Sequence, residues 1–482
     1  MNDKANVLSN LIWRFAERSG AQGVQFIVSI ILARILAPEA YGTIALVVVF
    51  AQVLEVFVDS GLGNALIQKK EADDLDFSSV FFFNVVWCLI LYAIIFFCAP
   101  IIASFYNDPT LTAITRVLCL TVVVSGLKNV QQAYISRTMQ FKKFFFATLL
   151  GTITSAVAGI ALALLGFGIW ALVAQKLTNL VIGTLVLWIT VKWRPKLMFS
   201  WQRLTTLISY GWKLLASALI DTVYNNLRSL IIGKLYTGAT LAYYNQGNQF
   251  PNLIVMNINA SIDSVLLPVM SSAQDDRGNI KNMTRRAIKI STHIMAPLMI
   301  GLAFVATPVV SLILTDKWLP SVPFLRIFCI TYMFQPIHTA NLNAIKAMGR
   351  SDLFLKLEIA KKMVGMVLLL STMRFGVEAM AYSMLVSSLF SQIINSWPNR
   401  KLLDYSYVDQ LKDIFPSILL AIVMGVCISF IELLPLPVWS VLILQIGIGA
   451  AIYIIGSIVT KNDSFEYLFG SVKPFLKRIF HR

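Results

Sequence analysis

Apolar segments recur along almost the whole chain and are separated by short polar joints. Each segment approaches the roughly 20 residues that an α-helix needs to cross a bilayer. The joints contain turn-forming or charged residues, as in "LAPEAYG", "YNDPT", "TDKWLPS" and "LPLP". The pattern predicts about fourteen transmembrane helices. They lie near residues 11–36, 41–67, 78–104, 113–135, 144–165, 168–191, 209–234, 245–270, 287–314, 321–346, 355–374, 377–397, 413–433 and 438–460.

Composition favours the same class of protein. Hydrophobic residues make up 57% of the chain and charged residues only 13%, whereas soluble proteins have about a quarter charged residues. The five cysteines all fall in apolar segments and show no metal-ligand spacing. We therefore expect an all-α integral membrane protein that needs no metal or other cofactor.

The net charge of +16 is distributed unevenly among the joints. Lysine and arginine are concentrated in every second joint, whereas the opposite joints contain only Lys317 and Arg374, with Arg34 and Lys234 at helix edges. Under the positive-inside rule, this bias places both termini in the cytoplasm. No basic, aromatic-rich soluble module is present to bind nucleic acid. The outer joints are too short for a catalytic domain, so we expect a protein that is not an enzyme.

The first twelve predicted helices form two similar halves. "IILARILAPEAYG" resembles "LIIGKLYTGATLAYY", and "FGIWALVAQKLTNLVIGTLVLW" resembles "FGVEAMAYSMLVSSLFSQIINSW". Each half has six helices, so the repeat is parallel, an arrangement known from transporters. We predict two pseudo-symmetric six-helix bundles followed by a peripheral helix pair and a basic cytoplasmic tail. Their ranges are 1–195, 205–400, 410–462 and 463–482.

Polar residues form stripes along the leading helices of both halves. Spacings of three and four residues place such side chains on one face of a helix. Because a charge near a helix centre costs about 2.5–3.5 kcal/mol on insertion scales, these stripes should face a cavity or a partner. The stripe residues are Arg14, Arg18, Gln22 and Gln25 on helix 1, Glu55 and Asp59 on helix 2, Lys213, Asp221, Asn225 and Arg228 on helix 7, and Asn248, Asn252, Asn259 and Asp263 on helix 8.

Weaker polar positions occur on three further helices, namely Lys128 on helix 4, Lys176 on helix 6 and His338 on helix 10. Structural roles compete with functional ones at several stripe positions. Arg14 and Arg18 are also placed to reach the cytoplasmic headgroups, and a lone histidine or asparagine can simply bond neighbouring helices. Buried cations nevertheless outnumber buried acids, which favours an anionic cargo and a cationic central cavity.

The chain resembles the polysaccharide flippases of the multidrug/oligosaccharidyl-lipid/polysaccharide exporter superfamily. It is most similar to the Wzx-type branch that contains the colanic acid and teichuronic acid exporters. The resemblance rests on "ILARILAPEAYG", "FVDSGLGNALIQKKE", "ISRTMQFKKF", "LAYYNQGNQFPN" and "VLLPVMSSAQDD", in that order. It implies a bacterial inner-membrane transporter that moves undecaprenyl-pyrophosphate-linked oligosaccharide to the outer leaflet by alternating access. Membrane lipids and the polysaccharide polymerase or chain-length machinery are further expected partners.

The resemblance also implies roles for the polar stripes. The pyrophosphate would meet the cations Arg14, Arg18, Lys128, Lys176, Lys213 and Arg228. The sugar hydroxyls would meet the amides Gln22, Gln25, Asn225, Asn248, Asn252 and Asn259. Coupling to H⁺ or Na⁺ is typical of the superfamily, and the candidates are Glu55, Asp59, Asp221, Asp263 and His338. A drug/cation antiporter of the same superfamily and a lipid II flippase remain alternatives.

Overall fold

The computed structural model describes residues 20–59 and 61–470, and these residues form helices with no strand. The helices of the first part are α1 (Gly20–Ile35), α2 (Pro38–Asp59), α3 (Leu62–Gln68), α4 (Asp74–Tyr106), α5 (Thr110–Leu118), α6 (Leu120–Arg137), α7 (Phe141–Leu164), α8 (Ile169–Thr190) and α9 (Trp201–Leu235). The others are α10 (Gly238–Ser271), α11 (Arg277–Phe304), α12 (Ala306–Leu314), α13 (Val322–Met333), α14 (Gln335–Ala347), α15 (Ser351–Thr372), α16 (Val377–Leu402), α17 (Tyr407–Ser429) and α18 (Val438–Val459).

Ten helical stretches within the described residues are long and apolar enough to cross a membrane. This confirms the predicted class, an all-α protein that passes the membrane many times. The other predicted spans coincide with α1, α9, α13 joined to α14, and α15. Helices α9 and α15 each carry several charged residues, and for this reason they are less apolar than their neighbours.

Four predicted spans are broken rather than continuous. Gly61 has a positive φ of 68° and separates α2 from α3. Further breaks fall at Cys119, Val305 and Phe334. The break at Phe334 precedes Pro336, which occupies the first turn of α14, where proline is tolerated because its missing N–H has no helical acceptor.

The chain divides by packing into two compact units, residues 1–242 (unit 1) and 243–482 (unit 2). Helix α9 belongs to unit 1 because it packs closely along α2. A Cβ on Gly233 of α9 would lie 2.3 Å from the Leu46 side chain of α2, and just after α9 a Cβ on Gly42 would lie 1.9 Å from the carbonyl oxygen of Gly238, the first residue of α10. The boundary between the two packed units therefore falls after α9. The sequence instead predicts the boundary between the two repeats at residues 195–205. The two-bundle division remains a prediction.

Each unit has a core of its own. In unit 1, Phe77 and Phe81 of α4 pack with Leu204 of α9 in one buried cluster. In unit 2, Ile280 of α11 and Ile414 of α17 share a second cluster. Helix α17 lies along α11, and a Cβ on Gly425 would come within 2.6 Å of the Phe304 ring. The predicted peripheral pair is thus joined to unit 2 by close packing of its first helix.

Candidate functional site

A polar cavity of about 550 Å³ lies within unit 1. Helices α2, α3, α6, α7 and α8 line it. Its polar lining residues are Asp59, Asn64, Lys128, Asn129, Gln132 and Ser136, together with Thr148 and Asn179. Because all these helices are otherwise strongly apolar, the cavity is a hydrophilic space inside a membrane-embedded unit.

One face of α6 supplies much of this lining. Asn129, Gln132 and Ser136 follow one another at spacings of three and four residues, which places them on the same side of the helix. Lys128 stands beside them and also lines the cavity. The sequence prediction included Lys128 but not Asn129, although the spacing could have indicated it.

Asp59 is joined to α6 by a side-chain hydrogen bond. The Asn129 amide donates to the Asp59 carboxylate at 3.1 Å and to the Val58 carbonyl oxygen at 3.0 Å. Asn129 is buried, whereas Asp59 is accessible. The amide therefore fixes the orientation of a carboxylate that remains open to the cavity.

Charged side chains of three helices interact around this carboxylate. Glu55, one turn before Asp59 on α2, interacts electrostatically with Asp59, Lys176 and Lys128. The group contains two carboxylates and two lysines, so its formal charges balance. The lysines are therefore held beside acids, and an anionic ligand would have to compete with Glu55 and Asp59 for them.

Helices α7 and α8 form the wall that carries Asn179. The Asn179 amide lies 3.4 Å from the Thr152 hydroxyl and 3.3 Å from the Ser155 hydroxyl, to which it donates. A Cβ on Gly151 would lie 2.7 Å from the Asn179 carbonyl oxygen. Glycine thus allows the two helices to approach closely enough for the amide to reach across.

The predicted stripe on α9 is largely accessible. Lys213, Asp221 and Asn225 are exposed, and none of them lines the cavity described above. Arg228 differs, because its Nε and Nη2 atoms are buried without a hydrogen-bond partner among the described residues. Two unsatisfied donors on a cation indicate a place where an anion or a water molecule would be stabilised.

The stripe on α10 lies in unit 2, and two of its four residues accept hydrogen bonds from side chains of other helices. Asn248 accepts a hydrogen bond from the Tyr332 hydroxyl at 2.8 Å, and Asp263 accepts one from the Asn343 amide at 2.7 Å. Asn252 is half-buried. The Oδ1 atom of Asn259 is buried without a partner among the described residues.

His338 is buried in unit 2 and bonded to α16. Its ring nitrogens lie 3.4 Å from the Ser388 hydroxyl and 3.1 Å from the Asn395 amide. The sequence prediction missed a neighbouring charge pair on α15, where Lys361 donates to Glu358 at 2.6 Å. The indication was available, since both residues fall in the middle of an otherwise apolar predicted span.

The remaining predicted residues lie on the first helix. Gln22 and Gln25 are exposed on α1, while Arg14 and Arg18 lie outside the described residues. Unit 1 therefore brings four predicted residues of three helices together, namely Glu55, Asp59, Lys128 and Lys176. The other predicted residues are distributed over α1, α9, α10 and α14.

Comparison with curated proteins gives relatives with polysaccharide names. The succinoglycan biosynthesis transport protein ExoT of Rhizobium meliloti is 25% identical over 67% of this chain and 66% of its own length. The teichuronic acid biosynthesis protein TuaB of Bacillus subtilis is 24% identical over 63% of each chain. The lipopolysaccharide biosynthesis protein WzxC of Escherichia coli is 24% identical over 70% and 69%. The match thus spans slightly less than two thirds of the length of the first two relatives.

Solved structures with the same fold are membrane transporters. The lipid II flippase MurJ in an inward closed conformation matches with a TM-score of 0.77 over 94% of this chain and 99% of its own, at 15% identity. An inward-facing multidrug resistance transporter of the MATE family matches with a TM-score of 0.63 over 80% and 94%, at 17% identity. At these identities the likeness is one of fold.

A family model described as "Polysaccharide biosynthesis protein" matches residues 31–323, which include α2 to α12 and the whole cavity of unit 1. This range is more than half of the chain. The chain belongs to the polysaccharide biosynthesis protein family.

Proposed function

We propose that this protein is a flippase that moves an undecaprenyl-pyrophosphate-linked oligosaccharide from the cytoplasmic to the outer leaflet of a bacterial inner membrane. The observation that carries the proposal is the polar cavity of unit 1, which places lysine, carboxylate and amide groups inside a bundle of apolar helices. Such a cavity can solvate the head of a lipid whose tail stays in the bilayer. Family membership and the names of the relatives support a role in polysaccharide assembly.

The proposed topology has fourteen spans with both termini in the cytoplasm. The ten strongly apolar stretches would be joined by α1, α9, the α13–α14 pair and α15. These four carry more polar residues, which suits helices that turn one face to protein or water rather than to lipid. The charge bias of the joints supports the orientation.

Different polar groups of unit 1 would meet different parts of the cargo. Lys128 and Lys176 would exchange their carboxylate neighbours for the pyrophosphate, and Arg228 would offer its unpaired donors to the same group. Gln132 and Asn179 are suited to sugar hydroxyls, because an amide both donates and accepts hydrogen bonds. The remaining stripe cations and amides keep the roles that the sequence predicts for them.

Glu55 and Asp59 would link transport to a cation. When the pyrophosphate takes the lysines, the two carboxylates lose their counter-charges and would then bind H⁺ or Na⁺. Asp221, Asp263 and His338 are further candidates for coupling. The reaction moves a lipid without breaking a bond, so the proposed protein has no catalytic residues, and the polysaccharide polymerase would receive its product.

Complementation of a strain that lacks its native flippase tests the proposal with the full chain. The outer-leaflet fraction of the lipid-linked oligosaccharide is measured by its accessibility to an added glycosidase. The wild type should restore it, and Lys128→Gln should lower it about tenfold to a hundredfold, the worth of a charge-assisted hydrogen bond of about 1.5–3 kcal/mol. Lys412→Gln, at an exposed lysine, is the matched control and should export normally.

Two results would overturn the proposal. Restoration of growth after lipid II flippase depletion, without oligosaccharide export, would assign lipid II as the cargo. Drug efflux that Asp59→Asn abolishes, in cells that export no oligosaccharide, would assign a drug/cation antiporter.

A further inference from the structure

The linker between α8 and α9, together with the first residue of α9, exposes large apolar side chains. Leu197 is 97% exposed, and Phe199 and Trp201 are 51% and 60% exposed. The linker directly joins two helices of the membrane-embedded unit, so these side chains lie where the helix ends meet the membrane surface. Apolar groups of this size are stabilised only when something covers them.

The linker is held rigidly on its inner side. Trp193 is buried against the rings of Phe77 and Tyr134, with centroids 5.7 Å and 6.2 Å away. The backbone N–H groups of Lys196 and Ser200 donate to the hydroxyls of Ser78 and Ser79 at 3.1 Å and 2.9 Å. The exposed side chains are thus presented outward by a fixed backbone.

Most cations of this region already have acceptors. Arg203 pairs with Asp73 at 2.6 Å, and Lys196 pairs with Asp74. The Asp76 backbone N–H and Arg203 lower the pKa of Asp73, so this carboxylate stays ionised and holds its partner. The Arg194 guanidinium donates to three backbone carbonyls at the end of α8.

Two lysines do not follow this pattern. Lys143, in the first turn of α7, and Lys192, at the start of the linker, lie at the same end of the α7–α8 pair, where a Cβ on Gly183 would lie 3.5 Å from the Ala147 carbonyl oxygen, and their charges repel each other. Neither belongs to an ion pair with any residue in the described ranges. Two adjacent ammonium groups without an acid attract an anion.

We propose that Lys143, Lys192, Leu197, Phe199 and Trp201 form a binding surface for anionic phospholipids of the cytoplasmic leaflet. The lipid phosphate neutralises the two lysines, and the three apolar side chains insert at the level of the glycerol backbone and upper acyl chains. Aromatic residues favour this interfacial depth, and each lysine near an anionic surface adds to the electrostatic attraction. This surface is separate from the cavity, so its occupancy does not require a cargo.

Quenching of Trp201 fluorescence by brominated lipids tests the surface in the full chain. The protein is reconstituted in nanodiscs of phosphatidylcholine and phosphatidylglycerol in which one lipid or the other carries bromine, at the same total composition. The Trp201 signal is the difference between the wild type and Trp201→Phe. We expect brominated phosphatidylglycerol to quench this signal at least twofold more strongly per lipid than brominated phosphatidylcholine, and we expect added salt to reduce the preference.

The double variant Lys143→Gln/Lys192→Gln should quench equally with both lipids, whereas Lys401→Gln, an exposed lysine at the end of α16, should keep the preference. Equal quenching in the wild type, or a preference that survives the double substitution, would overturn the proposal. The measurement uses no transport substrate. A protein that prefers the anionic lipid but exports no oligosaccharide would refute the proposed flippase alone.

Discussion

Arg228 combines a position on a membrane-embedded helix with two buried guanidinium nitrogens that have no hydrogen-bond partner in the described part of the chain. Arg228 as a whole is half-buried, but each buried donor left without an acceptor costs about 1–3 kcal/mol. Such a group destabilises the folded protein unless a ligand accepts its hydrogen bonds. This reasoning distinguishes Arg228 from Lys213, which is exposed and can be solvated without any ligand.

Arg228→Met should therefore stabilise the empty protein and impair its function. We expect the free energy of unfolding to rise by about 1 kcal/mol, because an apolar side chain of similar length replaces an uncompensated charge. Export should fall about tenfold or more. Arg228→Lys should not restore it, because a lysine cannot donate in the bidentate geometry of a guanidinium. The measurements are unfolding in mixed micelles and the outer-leaflet assay.

Arg374→Met is the matched control at an exposed arginine and should change neither quantity. A loss of stability in Arg228→Met, with export reduced in proportion to the folded protein, would show that the residue is structural.

The sequence predicts the charged members of the site better than the neutral ones. Glu55, Asp59, Lys128 and Lys176 were predicted because a charge inside an apolar span is costly wherever the helix faces. The spacing of Asn129, Gln132 and Ser136 indicates a polar face on α6, but whether that face meets a cavity or a neighbouring helix depends on the rotation of α6. That rotation depends on packing across unit 1, which a local pattern does not contain.

At the scale of elements, the start of α4 shows how one buried acid organises several segments. Asp76 is fully buried and bridges Lys69 at 2.6 Å and Arg203 at 3.5 Å, so it connects the end of α3 to the start of α9. Its side chain also accepts from the backbone N–H of Asp73 in a capping box. The more exposed pair between Asp74 and Lys196 lies on the same turn.

Asp76→Asn should destabilise unit 1 far more than Asp74→Asn. The substitution weakens charge-assisted hydrogen bonds to a fully buried carboxylate, while Lys69 and Arg203 remain partly solvated, and we expect a loss of about 1.5–3 kcal/mol. The exposed pair contributes less than about 1 kcal/mol. The check is unfolding of each full-length variant in mixed micelles, where equal losses for the two substitutions would contradict this assignment.

Gly42 sets the distance between α2 and the start of α10. A Cβ on Gly42 would overlap the Gly238 backbone, whereas a Cβ on Gly23 of α1 would meet nothing within 4 Å. Gly42→Ala should therefore cost about 3 kcal/mol or more through overpacking. Gly23→Ala should add up to about 1 kcal/mol through helix propensity. Thermal stability in detergent separates the two, and a stable Gly42→Ala variant would mean that α2 and the start of α10 are farther apart.

The helices themselves follow closely from the hydropathy pattern, but their breaks do not. Phe334 precedes Pro336, so this break had a local cause that the sequence displays. The break at Val305 likewise precedes a proline, Pro308 in the first turn of α12, whereas the break at Cys119 falls in an apolar run without an adjacent proline or glycine. There the Arg116 guanidinium donates to the Phe96 carbonyl oxygen, and Arg326 to that of Ala303. These tertiary contacts lie beyond a local pattern.

At the scale of the whole molecule, the two units contain matching polar contacts. In unit 1 the Asn129 amide on the fourth predicted span bonds to Asp59 on the second, and in unit 2 the Asn343 amide on the tenth span bonds to Asp263 on the eighth. The contacts of Arg116 and Arg326 correspond in the same way, each from the fourth span of a half to the third. These polar pairs support the proposed internal duplication. Chance similarity between apolar helices would not place equivalent polar contacts on equivalent spans.

Asn129→Leu and Asn343→Leu should therefore have similar and additive effects on stability. Each substitution keeps the side-chain volume and removes a hydrogen bond to a carboxylate, a loss of about 1.5–3 kcal/mol. Because each pair is contained in its own unit, the double variant should lose the sum within about 0.5 kcal/mol. Asn257→Leu, whose amide bonds only to a carbonyl of its own helix, is the control and should cost less. Unfolding of the four proteins in mixed micelles gives the comparison. A double variant no less stable than either single one would show that the two contacts are energetically coupled. The matching pairs would then belong to one network and would not be independent, equivalent contacts.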